Sequence, residues 1–162
     1  MPTNDILQCL NDGADFGVTT SARRRVEVFI ASAPVAEKDA VSLDMSKTVD
    51  ADKALFVLKA DTDTATATAF VGVVLKSAEP DGSLTAGSRV FVVTAGPAEA
   101  KVNTSTVAGN RLTLGSTGGQ LEIVPDVAEG GSATVVLRSI AAIACEADTL
   151  GVATVLVYNQ FV

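Results

Sequence analysis

Chemistry in this chain has to be sought among serine, cysteine, lysine and carboxylate side chains, because its 162 residues include no histidine. That removes the imidazole base of an ordinary nucleophilic triad, the commonest nitrogen ligand for metals, and the usual switch near neutral pH. Ser116 and Ser132 do not sit in a G-x-S-x-G elbow, and no Ser-x-x-Lys spacing offers a lysine-activated alternative. Asp61-Thr62-Asp63-Thr64-Ala65 follows a calcium loop for three positions, then fails at the fifth and lacks the glycine that should follow. With Asp50 and Asp52 it reads as solvated acidic loop. The pairs Gly118-Gly119 and Gly130-Gly131 match neither a dinucleotide fingerprint nor a phosphate loop and suit hairpin turns. Paired acids for glycoside cleavage would want aromatic sugar platforms, and the chain has one tyrosine and no tryptophan. The sequence therefore predicts no enzyme, no metal site and no cofactor.

Charge and targeting point the same way. A net charge of −7 disfavours nucleic acid, since neutralising phosphates takes clustered Lys and Arg. The one basic cluster is Arg23-Arg24-Arg25. It is either a solvated strand entrance or a docking point for acidic groups on a partner, to which arginine forks bind in bidentate fashion. Met1-Pro2-Thr3-Asn4-Asp5 has no basic and apolar leader pattern, and no window approaches the roughly 18 apolar residues that span a bilayer. Neither a secretory signal nor a membrane partner is expected. Cys9 and Cys145, far apart in sequence, are read as two free thiols in a reducing compartment, with a single disulfide between them as the alternative; Cys145 closes an apolar stretch from Ile140 that is read as a buried strand.

The elements that must position these groups are strands. Val and Thr, β-branched and abundant here, favour extended backbone. Residues 1–24, without sustained periodicity, are read as an extended arm, with a short turn of helix expected at most at Asp5–Leu10. From Arg25 the pattern alternates: Val26, Val28 and Ile30 on one face, Glu27 and Phe29 on the other. Further runs begin at Val41 and Leu55, then cover Ala69–Leu75, Arg89–Thr94, Ala100–Asn103, Leu112–Leu114, Leu121–Val124, Ala133–Ala144 and Val152–Tyr158. Asp81-Gly82, Gly96-Pro97, Gly109-Asn110, Gly118-Gly119, Gly130-Gly131 and Leu150-Gly151 are read as the turns between them. The one candidate helix, Val49–Ala54, is short. Gly72, Ala141 and Ala142 in mid-strand imply close sheet packing or a bulge.

An internal duplication is also legible. Phe70–Ala78 and Arg89–Thr94 have counterparts in Ser139–Ala147 and Thr154–Asn159, and Leu55–Leu58 corresponds to Leu121–Val124. The expected fold is all-β: a small antiparallel barrel or sandwich over residues 25–162. It would be built from two related four-strand half-units, about 39–97 and 105–159, and preceded by the arm.

The segments Asp39–Asp44, Ala69–Leu75, Thr85–Val90 and Ala95-Gly96-Pro97 resemble the head decoration, or cement, proteins of tailed bacteriophages. So do Val107–Leu112, Gly115–Gly119 and Ile140–Ala144, so that the resemblance spans about residues 39–159. It implies a non-enzymatic homotrimer on the outer surface of the virion, made in the host cytoplasm. Its partner would be the major capsid protein, whose neighbouring capsomers it clamps after head expansion. The resemblance further implies an arm that orders on contact, with Ile6, Leu7, Leu10 and Phe16 as apolar anchors and Arg23, Arg24 and Arg25 as charge partners. Another virion β-module (tail tube, neck or head fibre) and a non-viral ligand-binding or adhesion domain are the alternatives.

Overall fold

The computed structural model describes residues 24–63, 69–103, 105–124, 140–148 and 150–157. Nine strands follow one another: β1 (Arg25–Ala31), β2 (Ala40–Leu43), β3 (Phe56–Lys59), β4 (Phe70–Ser77), β5 (Arg89–Lys101), β6 (Arg111–Leu114), β7 (Leu121–Ile123), β8 (Ala142–Ala144) and β9 (Val152–Val157). One short helix among the described residues, α1 (Asp50–Lys53), precedes β3. The fold is all-β. It is neither two sheets packed face to face nor one simple barrel, but a continuous nine-stranded sheet in the order β1-β3-β2-β4-β5-β9-β8-β6-β7.

The sheet returns on itself. β1 pairs in parallel with β3 through Ile30–Phe56 and Ala31–Val57, and antiparallel with β5 from Arg25–Ala95 to Ile30–Arg89. With β2–β3, β2–β4 and β4–β5, all antiparallel, this closes a circuit of five strands. The same pairings recur downstream. β6 pairs antiparallel with β7 and β8, β8 with β9, and β9 with the second half of β5. A parallel bridge from Val102 to Leu121 completes that circuit at the place where the β1–β3 seam completes the first. The Asn103 amide supports it, donating to Leu121 O at 2.8 Å. β5 belongs to both circuits.

The sequence reading split β5 in two at Gly96-Pro97. The structure corrects this: the strand runs through. Gly96 adopts a φ of +95°, which a residue with a Cβ rarely takes, so the strand bends there without ending. Pro97 is tolerated because of where its nitrogen points. Val102 N–H donates towards β9, to Gly151 O, whereas Lys101 N–H donates away from it, to Lys38 O. Alternation along the strand puts the Pro97 and Glu99 backbone groups on the same side as that of Lys101, away from β9. The missing N–H of proline therefore costs the β5–β9 ladder nothing.

The two faces of β1 follow the expected alternation, with the roles of the faces now defined. Phe29 and Ala31 are buried with Val41, Val57, Val90 and Val92 in one cluster. Val26, on the other face, joins Ala40, Val73 and Val93 in a second cluster that continues through Ala98, Ala100, Leu112, Leu121 and Val155. That second cluster covers only the start of β1, so Val28 is left 47% exposed. Leu55, expected in a strand, precedes β3 and is 43% exposed.

Small residues are placed where strands crowd. Gly72 lies in β4 between two irregularities of register, at Val41/Ser42 towards β2 and at Val74/Lys76 towards β5. A Cβ on Gly72 would lie 2.1 Å from the carbonyl oxygen of Val93 and 2.9 Å from Val92 Cγ1. Ala141 and Ala142 are both buried. The apolar stretch from Ile140 ends at Ala144. Cys145 is an exposed free thiol, contrary to its expected burial, and Cys9 lies outside the described residues. So do Ala133–Ser139 of the expected long strand, Tyr158 and the Gly130-Gly131 turn.

Candidate functional site

Where β5 passes from one circuit to the other, the surface opens into a cleft of 390 Å³. Val74 and Leu75 of β4 and Val93, Pro97 and Ala98 of β5 give it an apolar lining, and Thr154 of β9 contributes from the second circuit. Arg24, Glu37, Lys38 and Glu99 supply charges of both signs. Lys38 and Glu99 are already joined at 2.6 Å, and Lys38 is held with a φ of +69° by its place in the tight connection into β2. Arg24 has a shielded Nε with no hydrogen-bond partner. Its backbone is the point at which residues 1–23 leave the described structure.

Of the contact residues expected from the sequence, Ile6, Leu7, Leu10, Phe16 and Arg23 lie outside the described residues. Arg24 and Arg25 lie within them and are not equivalent. Arg25 is engaged locally, its guanidinium 2.5 Å from Glu27 Oε1 on the same strand. Arg24 turns into the cleft. Of the two described arginines, Arg24 is the one that lines a concave surface.

Sequence reasoning did not single out two buried carboxylates that hold the connections around this region. Asp39, 1% exposed, sits at the entrance to β2. Its Oδ1 accepts from Lys101 Nζ at 2.5 Å, and its Oδ2 accepts from Ala36 N at 2.8 Å and lies 3.5 Å from Lys59 Nζ. Gly119, in the β6–β7 turn, packs so closely that a Cβ there would lie 3.0 Å from Asp39 Cγ. One carboxylate therefore ties together β2, β3, the end of β5 and the β6–β7 turn. Nothing in the sequence marks it, because its partners are scattered along the chain.

Asp44, 4% exposed, follows β2. Its carboxylate accepts from Ser32 Oγ at 2.6 Å, Ser46 Oγ at 2.5 Å and Ser46 N at 3.0 Å, and lies 3.7 Å from Lys47 Nζ. Burial pushes its pKa up, but the serine hydrogen bonds and the Lys47 charge outweigh that and leave it below the ordinary aspartate value. Because the folded-state value is the lower one, the ionised form stabilises the fold above about pH 4, the unfolded value. That contribution disappears as pH falls through the folded-state value. Asp44→Asn should accordingly cost about 1–2 kcal/mol at pH 7 in urea unfolding. The gap from the parent protein should shrink as pH falls below about 4, through the folded-state value.

The β6–β7 turn lies against the Asp61 loop, Thr62 N donating to Gly115 O at 3.2 Å. Ser116 is exposed in the β6–β7 turn. Asp61 Oδ1 accepts from Asp63 N at 2.8 Å, a local turn contact. Among the described residues no group of three or more acidic or cysteine side chains could hold a metal ion, and no helix is long and apolar enough to cross a membrane.

What the described residues define is an all-β module of two strand circuits sharing one strand, with a cleft at the shared strand. No family model matches the chain, and no curated protein matches it. Among solved structures, the head fiber gp8.5 N base of bacteriophage phi29 is similar at 12% identity with a TM-score of 0.44. The alignment covers 84% of this chain and 95% of that one. A similarity at this level assigns no function.

Proposed function

We propose that this protein is a structural component of a tailed-phage virion that binds the outer surface of the capsid and cements neighbouring capsomers. In this reading it is made in the host cytoplasm, acts as a homotrimer without cofactor or catalysis, and has the major capsid protein as its partner. The observation that supports it is the placement of Arg24. Arg24 lines the cleft at the strand shared by the two circuits, and residues 1–23, which include Ile6, Leu7, Leu10 and Phe16, precede it in the sequence. An arm with Ile6, Leu7 and Leu10 can bury apolar surface across a subunit junction, at the cost of its ordering entropy. Many copies on one shell multiply a modest energy per site, and whatever binds only the assembled head stabilises it by mass action.

Deletion of residues 1–24 tests this directly. Co-sedimentation with mature heads should fall at least about tenfold, a loss of ~1.4 kcal/mol or more per site. Circular dichroism and the unfolding midpoint should stay those of the folded β-module. Unchanged occupancy of the heads by the truncated protein, or equal binding to unexpanded precursors, would overturn the reading.

A further inference from the structure

We propose that the β2–β3 connection, residues 45–54, is a strap that opens by itself while the sheet stays folded, and that Asp44 and Lys47 form the latch that holds it shut. The sheet closes the base of the strap. Leu43 pairs with Val57, Asp44 N–H donates to Phe56 O at 2.9 Å, and Ile30 N–H donates to Leu55 O at 3.0 Å. The two ends of the segment therefore stay together whether or not the residues between them are in place, as in an Ω-loop.

No buried side chain fixes the strap. None of residues 45–54 is buried, those of α1 included, and Met45 and Val49 are exposed. With so little surface withdrawn from water, closure draws almost nothing from the hydrophobic effect. The backbone hydrogen bonds are local as well. Lys47 N donates to Asp44 O, Asp52 N and Lys53 N to Val49 O, Ala54 N to Asp50 O, and Leu55 N to Asp52 O. Among the described residues no backbone bond runs from the strap to a strand. The Lys53–Asp50 ion pair is internal to it too.

What ties the strap down is polar and sits at one place. Ser46 N and Oγ donate to Asp44 Oδ1, and Lys47 Nζ lies 3.7 Å from Asp44 Oδ2 and 4.5 Å from the centre of the Phe56 ring. Asp44 is itself buried, and Ser32 Oγ, just past the end of β1, donates to its Oδ2 at 2.6 Å. Segments whose contacts are few, local and solvent-exposed open at a small fraction of the free energy of global unfolding. Opening lifts the Lys47 ammonium off the Phe56 ring. Phe56 pairs with Ile30 of β1, on the face that carries the exposed Val28. The strap thus governs how much of that apolar face meets solvent.

Limited trypsin digestion at the Lys53–Ala54 bond, followed by peptide mass so that cuts elsewhere are counted apart, is the test. Cleavage requires the strap to extend into the protease, so its rate reports the open population. In the full-length protein the initial rate should be nearly independent of urea below the unfolding transition, because a local opening exposes little surface. Asp44→Asn and Lys47→Met should each raise the rate about fivefold or more without adding urea dependence. The chain nicked at Lys53 should keep the circular dichroism of the intact protein. The inference is overturned if cleavage rises with urea at the slope of global unfolding, since the strap would then open only when the sheet does. It is equally overturned if either variant leaves the rate unchanged, which removes that residue from the latch, or if nicking unfolds the sheet. No capsid is present in these measurements, so the capsid reading stands or falls separately.

Discussion

Gly72→Ala is expected to destabilise the protein by about 3 kcal/mol or more, or to prevent folding, although it adds a single methyl group. The added carbon would lie 2.1 Å from a backbone carbonyl oxygen, that of Val93, in the neighbouring strand. A flexible side chain could swing away from such a contact. A carbonyl in mid-strand cannot, because β5 is fixed by β1 and β4 on either side. Relief would require separating β4 from β5, which breaks the first circuit. Gly82→Ala is the matched control. Gly82 has a φ of +72° but nothing within 4 Å of a built Cβ, so only the backbone preference is lost, about 1 kcal/mol. Urea midpoints of the two variants, at equal slope, separate steric exclusion from conformational preference. Equal small shifts would show that the β4–β5 approach is looser than described.

The second large effect is expected at Lys101. Lys101→Met should cost about 2–3 kcal/mol, more than Asp39→Asn, although the two substitutions break the same ion pair. The asymmetry follows from burial. The Asp39 carboxylate is 2% exposed, so loss of Lys101 leaves it charged inside the fold with Lys59 3.5 Å away as the remaining cation. Lys101 is 34% exposed and Lys59 43%, so loss of the carboxylate lets both ammonium groups turn to water. An asparagine can also keep the hydrogen bond from Ala36 N. Chemical denaturation of the two variants at pH 7 checks the order. A larger loss from Asp39→Asn would mean that the carboxylate's own contacts, not its burial as a charge, dominate.

Strand period was the readable part of this sequence. Alternation in Arg25–Ala31 placed Val26 and Phe29 on opposite faces, and both are buried because the sheet has apolar clusters on each side. Gly72 carried its own signal, since a glycine amid Val-rich strand has few explanations besides close approach. Gly96-Pro97 misled for a physical reason. The dipeptide has turn chemistry, and only the partner strands reveal that its positive φ and missing N–H fall where a bend and an open edge are wanted. The cleft was not legible at all. Its lining comes from the start of β1, the connection into β2, and β4, β5 and β9, which become neighbours only through the circuit topology. The Asp39 centre was hidden likewise, its bond to Lys101 spanning 62 residues of sequence.

The sharing of β5 makes the two circuits thermodynamically inseparable despite their like pairing patterns. In repeat arrays each unit keeps its own strands and neighbours can fray one at a time. Here neither half owns a complete set: residues downstream of Val102 lack the strand that β9 pairs with, and a chain ending at Ala95 leaves Ala98 and Ala100 out of the second cluster. A fragment carrying β6–β9 alone would present unpaired β9 and β7 edges, the feature that promotes aggregation of β-proteins. The module should therefore melt as one unit and resist division into halves.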